Sequence, residues 1–234
     1  MTPPQRWIDE HFSGSAQELH DREMPAVIKP AAWWLEVDDA ALVLGSSQPI
    51  AHIDQDACRK ANIDVVRRRS GGGAVLLIPG DVVWVDVLIP AGAQHWTADV
   101  SSSAGWLGEV WIKTLAAVGV HGLTVHPGPL VRTQWSQHVC FAGVGGGEVV
   151  RRCVDPEGKT VVTKVVGISQ RRTRSGARFQ CALHRQWRPA AHEALFVQPG
   201  PTTADLTNVA GEVYVAALDI RGAFMSALEH SSDD

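Results

Sequence analysis

The sequence predicts an α+β fold whose sheets are mostly antiparallel or mixed and are flanked by helices. Three observations support this class. β-type segments dominate the middle of the 234-residue chain, and helical patterns lie towards both ends. In addition, Val83, Val85 and Val87 alternate with Trp84 and Asp86, as in an antiparallel strand with one buried face. No internal repeat or low-complexity linker interrupts the chain, so a single domain over residues 1–234 is expected.

The elements of the first half follow from local composition. Small polar residues that can cap a helix open the segment at 15–24, which predicts the first helix. An acidic turn at Asp38 and Asp39 separates two short β-type runs. Strands are therefore expected at 33–37, 41–45, 63–68, 74–78 and 82–89, with a short helix at 54–61.

In the second half, residues 99–118 form the clearest helical pattern. Trp106, Val110 and Leu115 are spaced as on one helical face, and Asp99 or a following serine is the expected N-cap. Strands are expected at 139–142, 148–153, 160–168 and 178–183, and a final helix is expected at 210–228.

Composition excludes several function classes. A net charge of −4 and a pI near 6.2 argue against a nucleic-acid-binding protein. The longest apolar region is broken by prolines, glycines and aspartates, so no membrane span or membrane partner is expected. The four cysteines lack the spacing of a zinc site, and no metal ligands are predicted. Without a secretory signal pattern, the expected location is the cytoplasm.

The densest positive charge lies directly before the most flexible backbone, in "RRRSGGGAV" from Arg67 to Val75. A triple glycine alone is compatible with an ordinary hairpin. Guanidinium groups beside glycines instead indicate an anion site, since side-chain and backbone N–H groups can then reach the same oxygens. On a strand, Arg67 and Arg69 face one way and Arg68 the other, so one of the three is expected at the surface.

This stretch resembles the arginine-arginine-x-serine-glycine-glycine-glycine signature of the lipoate–protein ligase A family, within the biotin/lipoate A/B protein ligase superfamily. "LVLGSSQ", from Leu42 to Gln48, is similar to the strand and turn that precede the signature. The resemblance implies a catalytic domain like those of class II aminoacyl-tRNA synthetases and biotin–lipoate ligases. Ligases of the bacterial type also carry a small C-terminal accessory domain, which a chain of 234 residues is expected to be too short to include.

Downstream, Lys164-x-x-Gly167-x-Ser169 resembles the second motif of that family, whose lysine is catalytic. A lysine suits the chemistry, because a compact ammonium can reduce the repulsion between a carboxylate and an α-phosphate. Alone, Lys164 would be read as a solvated strand lysine. By resemblance, the residues that bind substrate or nucleotide are Arg68, Ser70, Gly71, Gly72, Gly73, Ala74, Gly167 and Ser169. Val75, Leu76 and Val85 are candidates for an acyl tunnel or for the core.

The implied activity is a lipoate–protein ligase, which activates lipoate or octanoate with ATP and Mg²⁺ and transfers the acyl group to a lysine. The implied acceptors are lipoyl domains of 2-oxoacid dehydrogenase E2 subunits or the glycine cleavage H protein. An alternative is an ATP-independent octanoyl transferase, because "VCFAGVGGGEV" is similar to a segment with a nucleophilic cysteine in one branch of these enzymes. Cys140 would then carry the acyl group as a thioester and an acyl carrier protein would be the donor. A third reading is a non-catalytic lipoyl or acyl-binding protein.

Two positions depart from the ligase pattern. Leu77 stands where the family often has histidine, and Asp81 stands where asparagine is common. Together with the missing accessory domain, they predict that adenylation is weak or needs a separate accessory subunit.

Overall fold

Two stacked β-sheets form the centre of the protein, in a computed structural model that describes residues 6–154, 158 and 160–231. The larger sheet has seven strands in the order β1-β2-β6-β10-β9-β8-β7. Only β1 and β2 run parallel; every other pair in this sheet is antiparallel. Its strands are β1 (Ile8–Gly14), β2 (Ala31–Val37), β6 (Val82–Pro90), β7 (Leu123–Val125), β8 (Val149–Val154), β9 (Thr160–Arg172) and β10 (Gly176–His184).

The smaller sheet has the order β4-β3-β5, with β3 (Ala41–Leu44) between β4 (Asp64–Arg67) and β5 (Val75–Leu77). β3 is parallel to β4 and antiparallel to β5. The arginine–glycine segment is therefore the connection between the two edge strands of this sheet.

Six α-helices surround the sheets in the described residues: α1 (Ala16–Asp21), α2 (Gln55–Lys60), α3 (Gly105–Ala117), α4 (Pro189–Glu193), α5 (Thr203–Leu206) and α6 (Ala217–His230). Short 3-10 helices cover Ile50–His52 and Cys140–Ala142. A capping box starts α1, where Ser15 accepts from the backbone of Glu18 and Glu18 reaches back to Ser15. Along the described residues, no helix is long and apolar enough to cross a bilayer.

Three apolar layers hold these elements together. α3 and α6 cover one face of the large sheet. The small sheet and α1 cover the other face, and the outer face of the small sheet packs against α2 and the helices after β10. Both faces of each sheet are thus buried, which is why most strand residues are apolar at odd and even positions alike.

The predicted fold class is confirmed. The first helix is present over a shorter range, as is the short helix that Asp54 caps, and eight of the nine predicted strands are present near their expected positions. β6 is antiparallel, as predicted, but it is buried on both faces, because α3 and α6 cover one face and the small sheet and α1 cover the other. The two segments around the acidic turn are strands of different sheets.

Other expectations are wrong. Residues 139–142 form a 3-10 helix around Cys140 instead of a strand, because this segment turns beneath the glycine loop. α3 begins at Gly105 with Ala104 as its N-cap, since the carboxylate of Asp99 is occupied by Ser101 and Ser102 in a preceding turn. The last helix starts seven residues later than expected. β1, β7, α4 and α5 were not predicted.

Candidate active site between the two sheets

The glycine loop between β4 and β5 is packed against two neighbouring backbone segments. Gly72 has φ +103°, a conformation that side chains disfavour. A Cβ on Gly45 would lie 1.9 Å from the carbonyl oxygen of Gly72, and a Cβ on Gly73 would lie 2.8 Å from the nitrogen of Cys140. Ala74 closes the connection, since its carbonyl accepts from the Cys140 N–H at 2.9 Å. Conformation therefore requires a glycine at Gly72, and close packing requires one at Gly45 and Gly73, whereas a Cβ on Gly71 would meet nothing within 4 Å.

The three arginines have three different surroundings. Arg67 donates to the backbone carbonyls of Gly45, Ser46 and Gln48 and holds the turn after β3. Arg69 is exposed and pairs with Glu23. Arg68 is buried, and its Nη2 donates to the carbonyls of Gly71 (2.8 Å) and Gly73 (3.0 Å), while its Nε has no hydrogen-bond partner among the described residues. Of these three arginines, Arg68 is thus the one that is buried and keeps a donor without a partner.

Lys164 is buried near the centre of β9, with only 2% of its side chain exposed. Its amine donates to the carbonyl of Cys140 at 2.9 Å and pairs with Glu148 at 2.8 Å. A β-bulge sets this direction: Val149 pairs with Val166 and Val150 pairs with Lys164, so Val165 has no partner on β8. As a result Val165 and Val166 both enter the helix-side core, while Lys164 faces away from it.

Glu148 is a residue of this site that the sequence reading missed. Besides Lys164, its carboxylate accepts from the backbone N–H groups of Gly145 (2.6 Å) and Ile168 (3.1 Å). These contacts occupy both oxygens, so the carboxylate holds the amine in place and has little capacity left to act as a base. The acidic residue that ends "GVGGGE" was an available signal, but an acidic residue after glycines is common in turns.

Cys140 lies at the junction of the site and is half-buried. Its sulfur is 3.7 Å from Nη2 of Arg68, whereas the amine of Lys164 contacts its carbonyl oxygen. The positive group that lies against the thiol is therefore Arg68, whereas Lys164 contacts the backbone carbonyl of this residue.

An apolar pocket of about 470 Å³, counting its open mouth, lies between the two sheets. Of the three tunnel candidates, only Val75 lines it. Leu76 packs on the outer side of the small sheet and Val85 packs in the helix-side core, because neighbouring strand residues face opposite sides. Leu77, at the position where histidine was expected, lines the pocket and keeps this wall apolar. The remaining lining residues are His20, Val43, Arg68, Trp84, Cys140, Phe141, Gly167, Ile168, Ser169, Gln180, Cys181 and Ala182.

A wider and more polar groove, of about 1200 Å³, adjoins the pocket. Gly71, Gly72 and Gly73 line one part of it, and Glu148 and Lys164 line another. The groove and the pocket share Cys140, Ile168 and Ser169, so the two spaces meet at these residues. The structure thus brings the glycine loop and the distant lysine to one groove, with an apolar pocket opening beside them.

A hydrogen-bonded chain of side chains crosses from the glycine loop to α1. The hydroxyl of Ser70 lies 3.1 Å from that of Ser169 and donates to Gln180 at 3.2 Å. Gln180 in turn lies 3.3 Å from Nδ1 of His20. Burial and the neighbouring Arg68 and Arg178 lower the pKa of His20 to about 3, which keeps the ring neutral. Ser169, one of the predicted residues, therefore belongs to the site through these hydrogen bonds. Gly167, another predicted residue, lines the apolar pocket.

Behind the pocket, the rings of His184 and His192 flank Trp187. Burial lowers the pKa of His184 to about 3 and that of His192 to about 4. Phe141 stacks edge-on against His184 on one side and lies 5.3 Å from the amine of Lys164 on the other. This aromatic group supports the Cys140–Ala142 turn from below.

Among the described residues, no three histidine, cysteine, aspartate or glutamate side chains are grouped so as to hold a metal ion. The one carboxylate that lines the groove, Glu148, is occupied by Lys164. A hard cation in this groove would need oxygen ligands from a bound substrate.

The fold and this paired pocket and groove define a catalytic domain of the biotin/lipoate ligase type. The fold is similar to that of a bipartite lipoate protein ligase studied with its E2 lipoyl domain from Thermoplasma acidophilum (TM-score 0.68, 15% identity, 96% of this chain and 83% of that chain). It is also similar to protein Ta0514 of T. acidophilum with bound lipoic acid (0.65, 17%, 97% and 86%) and to lipoate-protein ligase A bound with ATP (0.63, 16%, 97% and 85%).

The chain belongs to the family of the lipoyl protein ligase A/B catalytic domain, whose profile matches residues 15–205. The family consists of enzymes of the ligase and transferase type, in agreement with the resemblance carried by the two motifs. A search of curated proteins found no match. The matched residues include the glycine loop, Cys140 and Lys164.

Proposed function

We propose that this protein is a lipoate–protein ligase that activates lipoate or octanoate with ATP and transfers the acyl group to a lysine of a lipoyl domain. One observation carries the proposal: the buried amine of Lys164 and the glycine loop line the same groove, which meets an apolar pocket at Cys140, Ile168 and Ser169. The pocket suits an acyl chain, and the groove suits the charged groups that react.

The arrangement accounts for each part of the reaction. An acyl chain in the pocket would place its carboxyl group near the junction, where the guanidinium of Arg68 lies against Cys140. There the ammonium of Lys164 would stabilise negative charge as the carboxylate displaces pyrophosphate from the nucleotide. The same ammonium would stabilise the oxyanion when the acceptor lysine attacks the acyl carbon and AMP leaves. Glu148 holds the amine in this orientation.

The bound partners follow from the same chemistry. The structure with lipoic acid and the structure with ATP, both similar in fold, support these two small molecules as substrates, with Mg²⁺ bound through the nucleotide. The neighbour studied with an E2 lipoyl domain supports a lipoyl domain as the acceptor, with the glycine cleavage H protein as a second candidate. We further propose one catalytic domain, active in the cytoplasm, that works with a separate accessory subunit if adenylation alone is slow.

The test is intact-mass analysis of a lipoyl domain after incubation with the protein, ATP, Mg²⁺ and lipoate. A mass increase of one lipoyl group, with release of pyrophosphate, is expected. Absence of both products at saturating substrate, with and without an added accessory subunit, would contradict the proposal. Loss of labelling in Lys164→Met, with lipoate binding retained, would separate catalysis from simple binding.

A second candidate, the octanoyl transferase, is favoured by the position of Cys140 at the mouth of the pocket, 3.7 Å from Arg68. In this reaction, the thiolate would displace the carrier-protein thiol from the acyl carbon and then leave when the acceptor lysine attacks. Incubation with octanoyl carrier protein without ATP should then give an acylated enzyme that is absent in Cys140→Ala. If ATP-dependent labelling instead stays within about threefold of wild type in Cys140→Ala, the ligase is the activity.

A further inference from the structure

Three charged side chains line the groove beside the glycine loop, and two of them neutralise each other. Lys164 and Glu148 form a buried ion pair, so together they add no net charge. The third charged side chain belongs to Arg132, which is exposed. Its guanidinium forms no hydrogen bond or ion pair with any described residue. The groove therefore has one positive group that remains available to an anion.

The backbone that carries Arg132 is held on both sides of this residue. The N–H of Val131 donates to the carbonyl of Val144 at 2.8 Å, and the N–H of Val144 donates back at 3.0 Å. On the other side, the hydroxyl of Thr133 donates to the carbonyl of Ala142 at 2.9 Å. Arg132 lies in a loop, but its side chain thus starts from a fixed backbone position, as a binding residue requires.

The segment that carries Arg132 also meets the glycine loop. A Cβ on Gly73 would lie 2.8 Å from the carbonyl oxygen of Ser136, four residues after Arg132. Within the loop, the backbone N–H groups of Gly71, Gly72 and Gly73 have no hydrogen-bond partner among the described residues. Proteins bind phosphate oxygens with backbone N–H groups and with guanidinium groups. The groove thus offers both kinds of donor to a chain of phosphates.

We infer that Arg132 binds the β- and γ-phosphates of ATP and positions the pyrophosphate that leaves when the acyl-adenylate forms. This inference rests on the proposed function, because it assumes that the groove holds the nucleotide. The exposed position of Arg132 suits these two phosphates, since they are the part of the nucleotide that departs into solvent. The buried amine of Lys164 is instead suited to the reacting centre.

The first reaction step shows what Arg132 contributes. A carboxylate oxygen of the acid attacks the α-phosphorus, a new P–O bond forms, and the bond to the oxygen that bridges to the β-phosphate breaks. The electron pair stays on that oxygen, so negative charge increases on the pyrophosphate as it leaves. A guanidinium beside the pyrophosphate stabilises this charge. The later transfer of the acyl group involves no pyrophosphate, so Arg132 has no part in it.

Calorimetry on wild-type protein and Arg132→Gln tests the inference by comparing the binding of ATP with Mg²⁺ and the binding of AMP. Lipoate is left out, so that no adenylate forms. Loss of a hydrogen bond to a charged group typically lowers affinity by about tenfold to a hundredfold, and we expect a loss of this size for ATP. The affinity for AMP should stay within about twofold of wild type. Arg132→Lys should recover part of the ATP affinity, since it keeps the charge but loses the planar fork.

The rates of the two reaction steps provide a second measurement. Release of pyrophosphate from lipoate and ATP should slow by about tenfold or more in Arg132→Gln. Transfer from synthetic lipoyl-AMP to a lipoyl domain should stay within about twofold of the wild-type rate. A residue that only supports the fold would affect both steps.

Arg174→Gln is the matched control. Arg174 is also an exposed arginine, in the turn between β9 and β10, and it lines neither the groove nor the pocket. This variant should bind ATP and AMP like wild type. An unchanged ATP affinity in Arg132→Gln, or an equal loss for ATP and AMP, would overturn the inference. Slower transfer from lipoyl-AMP with intact ATP binding would also overturn it. Failure of wild-type protein to bind ATP would instead contradict the proposed function.

Discussion

Two buried ion pairs, Lys164–Glu148 and Arg178–Asp86, have similar chemistry and different surroundings. In both, the exposed fraction of each side chain is 6% or less. The Arg178 guanidinium also donates to the backbone carbonyls of Leu19 and Arg22 at the end of α1, so its hydrogen bonds are made to buried parts of the fold. The Lys164 amine lies at the wall of an open groove beside the glycine loop. Burial and pairing are therefore alike in the two ion pairs, and what differs is that the Lys164 amine borders a substrate-sized space.

Arg178→Leu should produce the largest effect on stability. Removing the guanidinium leaves Asp86 buried without its counter-charge, which typically costs about 3–5 kcal/mol. Chemical denaturation should show this loss, and the double variant Asp86→Leu/Arg178→Leu should recover most of it. A loss below about 1 kcal/mol in Arg178→Leu would show that this pair does not anchor the fold.

Lys164→Met should have its main effect on catalysis. The loss of one preorganised charge in a dry site typically lowers the rate by a hundredfold or more, about 3 kcal/mol. Single-turnover labelling of a lipoyl domain measures the rate. Because the variant leaves Glu148 unpaired, Lys164→Met/Glu148→Gln serves as its control for folding. Retention of more than about a third of the wild-type rate in either variant would exclude a catalytic role for the amine.

Glu148→Gln should slow the same step by roughly tenfold to a hundredfold, because the amine loses the group that orients it. Glu23→Gln removes an exposed carboxylate outside the site and should leave the rate within about twofold of wild type. A wild-type rate in Glu148→Gln would contradict the positioning role.

His20, which lies near Arg178, should make the free energy of unfolding depend on pH. Its folded-state pKa of about 3 lies below the ordinary value of 6.5. Between these two pH values the histidine is protonated in the unfolded chain and neutral in the folded protein. As the pH falls from about 6 to about 4, this histidine should lower the free energy of unfolding by about 1.4 kcal/mol per pH unit. In His20→Gln, denaturation curves should show a shallower acid dependence by that amount. An identical slope in the two proteins would mean that the ring is not kept neutral by burial.

The exposed pair of Arg69 and Glu23 should have the smallest effect. Side-chain exposures of 42% and 61% leave both groups solvated and screened. Arg69→Ala should change the free energy of unfolding by less than about 1 kcal/mol in a denaturation experiment. A larger loss would show that this part of the arginine cluster is structural.

Sequence patterns predicted the secondary structure correctly where interactions between neighbouring residues determine it. The "SAQE" capping box starts α1 and the valine alternation marks β6, and both depend on neighbours within a few residues. The two motifs also located Arg68 and Lys164, which the fold brings to the same site. Here residue type and spacing were sufficient because the resemblance to the two family motifs points to individual positions.

Features that depend on distant partners were not predictable in the same way. Residues 139–142 have strand-like composition, but Ala74 and Gly73 lie against them and turn them into a 3-10 helix. Glu148 became recognisable only through its contact with Lys164, sixteen positions later. Val85 and Leu76 have the composition expected of a tunnel wall, yet strand parity directs both of them to other layers.

The bulge in β9 determines how the protein would respond to the deletion of a residue from this strand. With one unpaired residue at Val165, two consecutive valines enter the same core and the reactive amine is directed to the opposite side. Deleting Val165 would restore regular pairing with β8. The side chains on one side of the deletion would then point to the opposite face of the sheet. A one-residue deletion at this position should therefore be far more harmful than one in an exposed turn of the same protein.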